Sequence, residues 1–286
     1  MVGHRGALYQ KLENTRASFN TAAKIGCDYV ELDVFLLKCN TLVVFHGGGT
    51  DANPGLLDDY CGVSGSILDY TAQEARSLLK FNPDYLEFGC GKQYMMSDEA
   101  RGEMFIPTLE EVLKDAKKSG IKVKIELKGP GTATPVVELV DKLGMVSQCE
   151  FSSFDHSQIH QVRQLKPELS EDGGYIYRTG ALFASDVPDN FIDVALSVGA
   201  SEVHLKYDTC TKDRIDAIHD AGLGSMVWFR GPIGMLEDVS SKYFDVGNED
   251  EEMYKVVMAT GVQSMCINKP DVLLRTLESM ENSSFQ

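Results

Sequence analysis

Short apolar, β-branched runs alternate with amphipathic helical stretches along almost the whole chain, and this alternation constrains the fold more than any other feature. YVELDVF (29–35), TLVVFH (41–46), IKVKIELK (121–128), EFSSF (150–154), YIY (175–177), EVHLKY (202–207), SMVWF (225–229) and SMCIN (264–268) read as strands bounded by Gly, Asp, Asn or Pro. In PTLEEVLKDAKKSG, Thr108 and Glu111 form a capping box, Leu109, Val112, Leu113 and Ala116 share one face, and Gly120 ends the helix. In TPVVELVDKLG, Thr134 reads as the N-cap, Pro135 as the first helical position and Gly144 as the exit. Asn14 reads as the cap of a further helix that carries Phe19, Ala22 and Ala23 and stops at Gly26.

Strand–helix repetition implies parallel strands joined by helical crossovers. About eight such units in one domain spanning 1–286 predict an α/β fold closed as a (β/α)8 barrel. An open doubly wound sheet is the other architecture, but no G-x-G-x-x-G follows a strand to support it.

Two stretches depart from a plain barrel. ELDV and VVFH are too close for a helical crossover, so they predict an antiparallel hairpin. With Cys39 and Asn40 as a two-residue turn, Lys38 pairs with Thr41 and Asp33 falls opposite His46. Residues 47–106 open with GGGTDANPG and contain one short helical pattern, Ala72, Ala75, Leu78 and Leu79; they predict a small inserted cap subdomain.

Lys plus Arg total 27 against 43 Asp plus Glu, a formal net charge of −16. That balance excludes sequence-independent nucleic-acid binding and electrostatic docking to anionic lipid, while suiting cation capture where carboxylates converge. Seven cysteines without CxxC spacing indicate buried thiols in a reducing compartment, not a zinc site or a disulfide framework. With no long apolar run and no signal-peptide pattern, the expectation is a soluble, cytoplasmic protein without an integral membrane segment or an obligate protein partner.

Residues two apart in a strand share a face, so Glu31 points with Asp33 and Glu126 with Lys128. All four lie near the C-terminal ends of their strands, where barrels keep their chemistry. Alone, ELD is a polar strand end and ELK an ion pair; together, Glu31, Asp33 and Glu126 would repel unless a cation lay between them. Hard oxygen donors favour Mg²⁺ or Ca²⁺. His4 ends the first short strand beside ELDV, so the fold assembles His4, Arg5 and His46 around a metal-bound anion.

These motifs run in order through the chain: GHRG, ENT, ELDV, a strand ending in His, IPTLEEVL, IELK, SFD, a Trp-bearing strand and INKPD. The chain thereby resembles the glycerophosphodiester phosphodiesterases, TIM barrels of the phosphatidylinositol phospholipase C-like type. The resemblance implies hydrolysis of deacylated phospholipids such as glycerophosphocholine or glycerophosphoethanolamine to glycerol 3-phosphate and an alcohol. It implies His4 and His46 as general acid and base, Glu31, Asp33 and Glu126 as ligands of one divalent cation, Arg5 and Lys128 as phosphate contacts, and Trp228 at the substrate mouth. Glu13 and Asn14, of the ENT motif, would support the site. The family usually has Asp after the second His, where this chain has Gly47. The competing activities are a related barrel lyase that releases a cyclic phosphate and a non-catalytic phosphoester-binding barrel.

The remaining signals are weaker. His156 and His160 lie four apart on a helix without the Glu of a zinc motif, and His204 and Lys206 share a strand face. Tyr85, Phe88, Tyr94 and Met95 of the insert read as packing of the cap, with cation–π cover of a choline-like group as the other use.

Overall fold

Eight parallel strands close on themselves because the first pairs with both its neighbours. The computed structural model describes residues 1–50, 53–79, 102, 104–231 and 249–283. In chain order the strands are β1 (Val2–Gly3), β2 (Tyr29–Leu36), β3 (Leu42–Val44), β4 (Gly48–Thr50), β5 (Asn53–Leu56), β6 (Lys122–Leu127), β7 (Cys149–Ser153), β8 (Thr179–Phe183), β9 (Glu202–Lys206), β10 (Gly224–Trp228) and β11 (Ser264–Ile267). Around the barrel the order is β1-β11-β10-β9-β8-β7-β6-β2, and β1 closes it with Val2 opposite both Tyr29 and Cys266. β3 adds antiparallel to β2, and β4–β5 form a separate hairpin.

Alternation along the strands divides the interior. Val30, Leu32 and Val34 of β2 and Val123, Ile125 and Leu127 of β6 pack outwards against helices such as Leu109–Ser119 and Ala133–Leu143. Their neighbours Glu31, Asp33, Lys124 and Glu126 turn inwards and are buried. Below the upper acids, Lys124 lies between Glu150 and Glu202, and Glu202 also accepts from Arg178 at 2.9 Å and contacts His204 Nε2 at 2.9 Å. A second apolar cluster joins Phe35, Leu37, Val43 and Phe45 to Leu57, Ile67 and Ala75 from the stretch after the hairpin.

The capping box on Leu109–Ser119 forms as expected, and Gly120 closes that helix at φ 78°. Four expectations are corrected. The helix Ala133–Leu143 begins two residues earlier, after Thr132, so Pro135 sits inside the first turn, where no N–H is needed. Thr15, not Asn14, caps Arg16–Ile25 by accepting from Ser18 N–H; Asn14 has φ 54° and faces elsewhere. The strand after β7 is TGALF, not YIY: Tyr175 lies on Arg163 at 3.2 Å and Tyr177 stacks on Phe151 at 6.3 Å, so those aromatics pack without a ladder. Finally, the β2–β3 loop takes three residues. Leu37 N–H donates to Thr41 C=O at 3.0 Å and Asn40 adopts φ 58°, so a left-handed third loop residue shifts the register by one.

Candidate active site

The parallel register of β2 and β6 sets Asp33 directly beside Glu126, and the strand repeat brings Glu31 to the same inner face. One carboxylate oxygen from each of Glu31, Asp33 and Glu126 lies within 4.8 Å of the other two, and all three residues are buried. Burial, then Asp33 and Glu126, push the Glu31 carboxyl well above its ordinary range. Burial also raises Glu126, partly offset by Lys128. Burial alone would raise Asp33 too, but His46 when protonated, Lys128, Arg5 and the Asn14 amide hold it below the usual carboxylate range. Lys128 Nζ stands 3.4 Å from both Asp33 and Glu126. The carboxylate-only donor set fits a hard divalent cation, and these three residues could hold one.

The His-Arg-Gly turn wraps around this cluster. Arg5 is left-handed at φ 50° and Gly6 follows at φ 91°, where a Cβ would lie 2.4 Å from Ser18 Oγ; only glycine fits. The turn lets Arg5 N–H donate to Glu31 Oε2 at 2.9 Å and its Nη1 donate to Glu13 Oε1 at 2.9 Å, with Nε 3.7 Å from Asp33 Oδ2. Asn14 Nδ2 donates to the same oxygen, Asp33 Oδ2, at 2.8 Å, while Lys128 faces Oδ1. Glu13 and Asn14 thus hold the site's charged groups in place.

His4 follows β1, with Nε2 3.8 Å from Glu31 Oε2 and Nδ1 2.8 Å from Asn268 Oδ1. Burial and then Arg5 lower its ring to about 3. His46 arrives by a different route from the one predicted. Phe45, not His46, is opposite Asp33, its N–H donating to the Asp33 carbonyl at 3.0 Å. β3 ends at Val44, and His46 reaches the cavity from the turn at Gly47. Burial, Arg5 and Lys128 also lower His46 well below its ordinary value. Gly47 has φ 66°, and a Cβ there would lie 2.6 Å from Gly55 Cα, so an aspartate does not fit this hairpin as it stands.

His4, Arg5, Glu31, His46, Glu126 and Lys128 line one cavity of about 300 Å³. Its far wall is Phe154, Leu182, Met226 and Trp228, with Lys206 and Arg230 also on the lining. Trp228 donates through Nε1 to the Phe183 carbonyl at 3.2 Å and meets Phe154 edge-on at 5.6 Å, so its ring is fixed in the wall. A groove of about 880 Å³ shares His46, Glu126, Lys128 and Phe154 with this cavity. The sequence reading missed Asn268 as the neighbour of His4, Glu249 as the partner of Asn268, and Phe154 and Arg230 as lining; INKPD and SFD were the only signals, and neither states a role.

The weaker candidates do not assemble. His156 Nε2 contacts the Leu182 carbonyl at 2.9 Å and His160 contacts Gln164 at 2.9 Å, so they do not form a joint site. His204 lies with Glu202 in the layer below, whereas Lys206 does reach the lining. Tyr85, Phe88, Tyr94 and Met95 lie outside the described residues. Among the described residues no other group of acidic, His or Cys side chains is close enough to hold a metal ion, and Cys27, Cys39, Cys149, Cys210 and Cys266 carry free thiols. No helix of the described residues is long and apolar enough to cross a membrane.

An acidic triad and two imidazoles thus meet at the C-terminal mouth of a parallel barrel, the face where barrel enzymes carry their chemistry. The glycerophosphoryl diester phosphodiesterase family model matches residues 4–272, and the chain belongs to that family. YhdW of Bacillus subtilis is 30% identical over 234 residues, covering 80% of this chain and 84% of that protein. The glycerophosphodiester phosphodiesterase of Bacillus altitudinis is 27% identical over 228 residues, covering 77% and 81%. In fold, the chain is similar to an Oleispira antarctica phosphodiesterase solved with its product sn-glycerol-3-phosphate, at TM-score 0.70 and 20% identity, over 97% of this chain and 96% of that one. By family the chain is a glycerophosphodiester phosphodiesterase, a phosphoric diester hydrolase.

Proposed function

We propose that this chain hydrolyses small glycerophosphodiesters, deacylated phospholipids such as glycerophosphocholine or glycerophosphoethanolamine, to glycerol 3-phosphate and an alcohol. The observation that carries the reading is the convergence of Glu31 and Glu126, clustered with Asp33, with His4 and His46 on one cavity. The three carboxylates would hold one Mg²⁺ or Ca²⁺, which when bound supplies charge stabilisation to a phosphoryl oxygen and acidifies a nearby hydroxyl. Arg5 and Lys128 would face the phosphate and offset charge developing on it. Phe154 and Trp228 would bound the non-reacting part of the substrate.

In the reaction one imidazole takes the proton of the attacking oxygen and the other protonates the leaving oxygen. Attack by the substrate's own glycerol hydroxyl would give a cyclic phosphate, which water opens with the roles exchanged. The phosphodiester's negative charge, arriving beside the rings, raises their proton affinity, the direction the acid partner needs. The described part of 47–106 would act as a cap: Gly48, Asn53, Pro54 and Asp69 border the groove that joins the cavity.

The test is a head-group panel assayed with Mg²⁺, Ca²⁺ or EDTA, with products identified. Glycerol 3-phosphate released only with metal is the expected result. A stable cyclic phosphate without glycerol 3-phosphate would make the chain a lyase, and no turnover on any member would make it a binding barrel.

A further inference from the structure

Asn268 is wholly buried on the side of His4 away from the acids, and its hydrogen bonds admit one orientation. Nδ2 lies 2.9 Å from the Arg230 carbonyl oxygen and 2.6 Å from Glu249 Oε2. A backbone carbonyl can only accept, so the atom facing it must be the NH₂ nitrogen, whatever the protonation of Glu249. The other amide atom, Oδ1, therefore faces His4 Nδ1 at 2.8 Å, and an amide oxygen can only accept. His4 must carry its proton on Nδ1.

Glu249 is itself clamped. It is buried, and its Oε1 accepts from Asn268 N–H at 2.6 Å, from the Tyr254 hydroxyl at 2.6 Å and from Lys269 N–H at 3.4 Å. The carboxylate thus holds both the backbone and the side chain of Asn268.

We propose that Asn268, locked by Glu249 and the Arg230 carbonyl, is a positioning residue that fixes His4 as the Nδ1–H tautomer and presents an unprotonated Nε2 to the cavity. In the neutral ring that nitrogen carries the lone pair, so His4 enters the reaction as proton acceptor. The O–H bond of the attacking hydroxyl breaks and an N–H bond forms at Nε2. The resulting imidazolium keeps its Nδ1–H bond to Asn268. Meanwhile the leaving oxygen takes its proton from His46, and water reverses both transfers. Without Asn268, His4 is free to place its proton on Nε2, where it cannot act as base, much as a lost orienting partner disables other catalytic histidines.

The role in turnover rests on the phosphodiesterase reading above; the tautomer does not. The experiment is ring ¹⁵N NMR on histidine-labelled protein, with His4 assigned by His4→Gln, together with steady-state kinetics on glycerophosphocholine. In the native protein the His4 Nδ1 signal should be that of a protonated nitrogen and Nε2 that of a bare one. Asn268→Leu should move the proton to Nε2 or mix the two forms, and lower kcat about 10–100-fold with little change in KM. Glu249→Gln, nearly isosteric, sets an NH₂ against Asn268 Nδ2 and should shift the same signals even if Asn268→Leu does not fold. A native His4 protonated on Nε2, or variants that fold with the native His4 spectrum and kcat, would overturn the proposal. A native protein with the expected tautomer but no turnover on any member of the head-group panel would instead sink the phosphodiesterase reading alone.

Discussion

At the scale of single residues, His4 and His46 carry most of what distinguishes this cavity from a structural ion cluster. His4 is buried and His46 half-buried, both among Arg5, Lys128 and the acids on the cavity lining. His4→Ala and His46→Ala should each lower kcat about 10²–10⁴-fold. If Arg5 and Lys128, and not the two rings, carry the phosphate as proposed, KM should change far less. Stopped assays with each variant check this, and a near-native kcat in either would remove that ring from the chemistry. The strand-borne acids were legible because ELD and ELK obey a two-residue repeat that any parallel barrel converts into convergence. Asn268 was not legible as His4's partner: the two are 264 positions apart, and only closure of β1 against β11 brings them together. Asn14 was misread for a related reason. A polar residue before a helix usually caps it, but a left-handed backbone at Asn14 hands that role to Thr15 and turns the amide to Asp33.

At the scale of elements, the strands that the sequence concealed are those shaped by sterics instead of propensity. TGALF reads poorly as a strand, yet its glycine is required: a Cβ on Gly180 would lie 2.2 Å from His204 Cε1. Gly→Ala within a strand ordinarily gains about 0.5–1 kcal/mol by removing backbone freedom from the unfolded chain. Gly180→Ala should do the opposite and cost about 1–3 kcal/mol, because the buried ring cannot yield without losing its contact with Glu202. Urea unfolding followed by circular dichroism gives the sign, and a stabilised variant would show that the His204 ring moves freely. The hairpin carries the complementary lesson. Its existence was legible from the short link between ELDV and VVFH, but its register depended on one left-handed residue, Asn40, that composition cannot distinguish between two- and three-residue loops. His46 still arrives at the site because the chain leaves β3 after Val44 and turns at Gly47, so the motif outlives the register that predicted it.

At the scale of the whole molecule, the barrel buries charge in two layers, and the lower one sets how the fold responds to acid. His204 is buried and faces Glu202 on its own strand, Lys124 on β6 and Glu150 on β7, with Arg178 holding Glu202 and Glu150 from the rim. Burial first, then Lys124, lowers the His204 ring below its ordinary value of 6.5, although Glu202 and Glu150 pull the other way. The folded state therefore binds fewer protons than the unfolded chain once pH drops through that ordinary value. Stability follows the difference in bound protons, so it is fully present above about 6.5 and is lost as pH falls towards the folded-state value. Glu202, held well below its ordinary 4.5 despite burial by His204, Lys124 and Arg178, extends the loss to lower pH. His204→Gln removes the group that must be desolvated without adding a charge. Its unfolding free energy, measured in urea across the mildly acidic range, should fall less steeply with decreasing pH than that of the native protein. The slope that remains is the sum of His4 and His46, whose rings are lowered in the layer above, and of Glu31 and Glu126, whose raised carboxyls act in the opposite direction. An unchanged slope in the variant would mean that the lower layer already admits a proton at His204 in the folded state, and that the barrel's acid response resides in its other buried groups.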